Sequence, residues 1–97
     1  VTLEQFWGRV FNLCLKFQGS WTSGLRTKKR NARVGGKPNS RHQSGYAIDV
    51  VLDDMRDENV RAFTAAADMI EVRVVDERDK GHLHCQPSDP NIGRVVP

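Results

Sequence analysis

Residues 40–52 read SRHQSGYAIDVVL. From Tyr46 onward the side chains alternate. Tyr46, Ile48, Val50 and Leu52 would share one face of a strand, and Ala47, Asp49 and Val51 the other. The run predicts a strand over 46–52 with a carboxylate at its centre. Burying a carboxylate costs free energy unless it is paired or binds a metal, so Asp49 needs a partner. Seven residues earlier, His42 stands in a Ser/Gly-rich turn, and Gly45 lets the chain reverse into the strand where a side chain would clash.

Working outward, Leu3, Phe6, Trp7, Val10, Phe11, Cys14 and Phe17 recur at three- and four-residue spacing, which predicts a helix over 3–18 with an aromatic core stripe. Thr2 and Gln5 fit a capping box, and Gly19 is a natural stop. SWTSGL (20–25) reads as a short strand and 27–45 as a long loop, broken by Gly35, Gly36, Pro38 and Gly45. A second helix is expected over 57–70, with Asp57 as N-cap and Val60, Phe63, Ala67 and Ile70 on one face. EVRVV (71–75) is a strand, DERDKG (76–81) a turn, HLHCQ (82–86) a last strand, and the proline-bearing tail is irregular. This order predicts a single α+β domain over 1–97, an antiparallel sheet flanked by two helices.

The chain has 97 residues and a formal net charge of +3. No apolar run is long enough to span a membrane, and the first residues do not read as a signal peptide. Cys14 and Cys85 are too few for a disulfide framework and read as buried free thiols. Between Arg26 and Arg41 there are seven Lys/Arg and no acid. That run lacks the interleaved aromatics of a single-strand nucleic-acid groove, so nucleic acid is a poor partner and a solvated loop the plainer account.

All three histidines fall in two motifs: His42 before Asp49, and the pair His82 and His84, whose rings project from one strand face. Alone, H-x-H is a weak zinc signature, and Asp49 alone has a plainer account as an ion pair with an arginine. Together they leave no histidine unexplained. Two His and one Asp make a catalytic zinc set with a fourth position for water. Such a metal lowers the pKa of its water and polarises a carbonyl, both of which peptide hydrolysis needs.

SRHQSGYAIDV resembles the S-x-H-x-x-G-x-A-x-D signature of zinc D-alanyl-D-alanine carboxypeptidases and their relatives, which include VanY-like enzymes and L-alanyl-D-glutamate endopeptidases of phage lysis. Ser40, His42, Gly45, Ala47 and Asp49 occupy its fixed positions. TSGLRTKKRNARVGGKPNS resembles the family's S-G-x-R segment, and GHLHCQ its closing H-x-H. The hedgehog signalling domain has a similar site. The resemblance implies one Zn2+ held by His42, Asp49 and His84, with His82 lining the site toward the oxyanion or the water; an exchange of roles between His82 and His84 stays open. It implies Arg26 as the grip on a substrate carboxylate and Ser40 as a substrate contact or brace of the turn. A general base is expected shortly before the last zinc histidine. Of Asp76, Glu77 and Asp79, the spacing is taken to favour Asp79. Leu25 stands where the family often has an aromatic.

The function so implied is a zinc metallopeptidase cutting peptidoglycan stem peptides, as a D,D-carboxypeptidase or an L-alanyl-D-glutamate endopeptidase. It would act as a monomer on the cell wall, in a phage setting with release by a holin or carriage in a virion. The rival is a zinc-stabilised binding domain without turnover, of the hedgehog type.

Overall fold

The computed structural model describes residues 1–24, 33 and 40–95. Its elements, in chain order, are helix α1 (Leu3–Phe17), strand β1 (Gly19–Ser23), a 3-10 turn (Arg41–Gln43), strand β2 (Ile48–Leu52), helix α2 (Asp57–Asp68), strand β3 (Val72–Glu77), a second 3-10 turn (Arg78–Lys80) and strand β4 (His82–Pro87). The four strands form one antiparallel sheet in the order β1-β2-β4-β3. The fold is α+β, as expected. Among the described residues no helix is long and apolar enough to cross a membrane.

The capping box at α1 is present: Gln5 N–H donates to Thr2 Oγ1, and Thr2 N–H to Gln5 Oε1. Start of α2 differs from the reading above. Its N-cap is Arg56, which makes no side-chain cap bond. Asp57 lies in the first turn and accepts from Arg78 Nη1 at 2.7 Å. Arg78 also donates to Asp76 and to Met55 O, tying the β3–β4 turn to the α2 entry.

Register decides what each sheet face carries. Val50 lies opposite Leu83, Ile48 opposite Cys85, and Cys85 opposite Val74. This face packs against both helices, through Phe6, Val10, Leu13 and Cys14 of α1 and Val60, Phe63 and Ala67 of α2. Fully buried side chains such as Phe6 and Phe63 each contribute about 1.5–3 kcal/mol by leaving water. Leu13 joins the core from outside the predicted stripe, while Leu3 is exposed. Both thiols are buried in this layer, and burial pushes both up from the usual thiol range, which makes them poor nucleophiles.

With one face spent on the core, the other carries Asp49, His84 and His82. Asp49 pairs with His84 across β2 and β4, and His84 with Val75 across β4 and β3. One row further along, His82 pairs with Glu77. Antiparallel neighbours directly opposite present their side chains on the same face, so four polar groups meet there.

Candidate metal centre

The site is built by three short segments. Strand β2 supplies Asp49, β4 supplies His82 and His84, and the first 3-10 turn lowers His42 onto them. Ser40 caps that turn by accepting from His42 N–H at 3.2 Å, so its hydroxyl braces the backbone of His42. The result is deep: His42 is 1% exposed and Asp49 6%. Groups so buried must be satisfied locally.

Three imidazoles converge on one carboxylate oxygen. Asp49 Oδ1 is 3.2 Å from His42 Nε2, 3.2 Å from His84 Nδ1 and 3.6 Å from His82 Nε2. Burial pushes the Asp49 carboxyl up, but hydrogen bonds from His42 and His84 and the charges of His42 and His82 outweigh it. The net effect holds the group well below the usual carboxylate range, so it is ionised at neutral pH.

The outer nitrogens explain what the inner ones are for. Nδ1 of His42 donates to Gly24 O at 2.7 Å. A carbonyl oxygen can only accept, so this nitrogen carries a proton; a ring with that proton alone would turn a lone pair on Nε2 toward Asp49, and only a ring with a second proton would donate there. With Gln86 Oε1 accepting from Nε2 of His84 at 2.9 Å, the same holds for His84 Nδ1. Lone pairs facing a carboxylate repel unless each ring takes a second proton or a cation sits among them. His42, Asp49 and His84 offer one ligand atom each, all mutually close. Two ligands about 2.0–2.1 Å from an ion at a tetrahedral angle lie roughly 3.3 Å apart, close to the 3.2 Å separations of Asp49 from both histidines. The donor set therefore fits zinc in type, burial and spacing. Gln86 and Gly24 O supply the outer bonds that fix ligand tautomers in such sites.

His82 lies beside the triad. Its Nε2–H donates to Glu77 Oε1 at 2.8 Å. Asp49, Glu77 and His82 also form a compact donor group. Of the three acids weighed from sequence, the structure brings Glu77 to the cluster. Asp79, the favoured one, is exposed on the second 3-10 turn, and Asp76 binds Arg78. The physical reason is that β3 continues to Glu77 instead of stopping at Val75, so Glu77 stays in register with His82. Arg26 lies outside the described residues, so its expected grip on substrate has no structural description.

The signal for Gln86 was present in the sequence, since it sits two residues past His84 and so on the same strand face. Gly24 left none, because a backbone carbonyl has no residue type.

Residues 18–86 match the family described as Peptidase M15. Comparison with curated proteins and with solved structures gave no match. The matched stretch contains His42, Asp49, Glu77, His82, His84 and Gln86, and leaves α1 and the residues after β4 outside it.

Proposed function

We propose, on the premise that this chain belongs to the peptidase M15 family, that it is a zinc peptidase acting on peptidoglycan stem peptides. The cut is that of a D,D-carboxypeptidase or an L-alanyl-D-glutamate endopeptidase. The observation that carries the reading is the convergence of His42 Nε2, His84 Nδ1 and Asp49 on one point, with a further acid, Glu77, one row away.

His42, Asp49 and His84 would hold the ion. When bound, zinc lowers the pKa of a water toward neutrality and polarises the scissile carbonyl. Glu77 accepts the proton of the attacking water and returns it to the leaving amine nitrogen as the C–N bond breaks. Protonating Glu77 weakens its hold on His82, whose N–H then donates to the carbonyl oxygen as negative charge builds there. The base is thus Glu77 in place of Asp79, and His82 keeps its expected role. Arg26 would grip a substrate carboxylate through paired hydrogen bonds. Ser40 serves as brace of the turn. The enzyme works on the cell wall as a monomer, and a phage source fits the resemblance. A base poised beside the metal ligands favours turnover over the non-catalytic hedgehog-type reading.

Purified murein provides the test. New amino termini or free D-alanine should appear with the zinc-loaded protein and vanish after chelation. Hydrolysis that survives thorough zinc removal sinks the proposal.

A further inference from the structure

His42 is the one proposed ligand that does not sit on the sheet, so something outside the sheet must place it. The 3-10 turn that carries it is only three residues long. A segment so short has no stiffness of its own.

Trp7 of α1 is one source of that support, beside the bonds from Arg41 and Ser44 to the 90–93 segment. Its indole N–H donates to Gly45 O at 2.6 Å, across 38 residues of sequence. Gly45 N–H in turn donates to His42 O at 3.4 Å, and Gly45 holds a left-handed φ of 83°. The outer edge of the same indole faces Gly24. A Cβ on Gly24 would lie 3.7 Å from Trp7 Cη2 and 3.8 Å from Cζ2, which is ordinary packing distance. Gly24 O is the acceptor that fixes the proton on His42 Nδ1. One side chain therefore bonds to the residue that closes the His42 turn and lies beside the residue whose carbonyl selects the ring's tautomer.

We infer that Trp7 is a positioning residue for the ligand His42, acting through Gly45 and Gly24 without touching the metal or substrate. Helix α1 lies outside the stretch matched to the peptidase family. The inference rests on the zinc reading of the site. It requires that metal affinity depend on the indole N–H and not merely on α1 being folded.

The test compares Trp7→Phe, which removes the N–H and the outer ring edge, with Val10→Ala, which trims a buried α1 side chain elsewhere in the core. Zinc affinity is measured by chelator competition and ligand geometry by the visible absorption of the cobalt(II)-loaded protein. Trp7→Phe should weaken zinc binding about 10-fold or more, the usual effect of losing an outer support, and alter the cobalt spectrum. Val10→Ala should do neither. Wild-type-like zinc affinity and spectrum in folded Trp7→Phe overturns the inference while leaving the zinc reading intact. Absence of zinc binding by the wild-type protein overturns both. If Trp7→Phe does not fold, the wild-type indole protons decide. Zinc should slow solvent exchange at the Trp7 N–H and leave that of Trp21, 61% exposed, unchanged. An unchanged Trp7 rate overturns the inference.

Discussion

Replacing Glu77 by Gln separates proton transfer from metal binding. The amide oxygen can still accept from His82 Nε2, which now lies 2.8 Å from Glu77 Oε1, so the side chain keeps its place. What is lost is a group able to take a proton. A positioned general base contributes about 10²–10⁴ in rate, equivalent to about 2.7–5.4 kcal/mol of barrier. Glu77→Gln should lower kcat on murein peptides by that factor. Zinc content should stay at one per chain, because the proposed ligands His42, Asp49 and His84 are untouched. Asp79→Asn, on an exposed turn residue, should leave kcat within about twofold. Amine release from soluble stem peptides gives the rate, and metal analysis of the dialysed protein gives the zinc. Two outcomes refute the reasoning. Full activity in Glu77→Gln with loss in Asp79→Asn would return the base to Asp79. Loss of zinc in Glu77→Gln would move the ion to the Asp49–Glu77–His82 group.

Chelation should lower the melting temperature: zinc present at about 1,000 times its dissociation constant stabilises by about 4 kcal/mol. At about 4–8 °C per kcal/mol for a domain of this size, the shift should exceed 10 °C by calorimetry, and His84→Ala should abolish it. In the metal-free protein, Asp49 is more acidic folded than unfolded. Its contribution is therefore present above the unfolded carboxyl value of about 3.9 and is lost as pH falls below it; Asp49→Asn should flatten that part of a urea-stability profile. Gly93 has a φ of 71°, and a Cβ there would collide with the Cβ and ring of Tyr46. Gly93→Ala should thus destabilise by about 1–3 kcal/mol in urea, whereas Gly8→Ala, in α1 with open space around it, should stabilise by about 0.5–1 kcal/mol.

What the sequence made legible was whatever depends on period. Alternation along 46–52 placed Asp49 on the face opposite Ile48, Val50 and Leu52, and the structure keeps that division. The two-residue step in HLH put both rings on one face, and both approach the same Asp49 oxygen. Strand ends were less legible, and the choice of base turned on one of them. With β3 read as 71–75, Asp76, Glu77 and Asp79 all fell in a turn, where facing cannot be argued. Two further residues of strand put Glu77 opposite His82. Trp7 was hidden for another reason. Its spacing in α1 suits a core stripe, and periodicity records which side a ring is on, not where its N–H goes.

The placement of the helices makes the site depend on contacts far along the chain. Because α1 and α2 share one face of the sheet, they cannot directly cover Asp49 on the other. Its burial falls to the 3-10 turn, and that turn is held from several sides. Trp7 reaches it from α1. From the residues after β4, Ile92 O accepts from Arg41 Nε at 3.1 Å and Gly93 O from Ser44 Oγ at 2.9 Å. Neither Trp7 nor the 90–93 segment belongs to the stretch matched to the peptidase family, yet both fix the position of His42. A metal bound by His42, Asp49 and His84 would close the same loop from within, joining the turn to the sheet. Metal binding and docking of α1 and the 90–93 segment should therefore reinforce each other. Proteolysis supplies a direct check: zinc should slow cleavage after Arg94 as well as cleavage near His42. Protection confined to the His42 turn would show that the tail is held independently of the site.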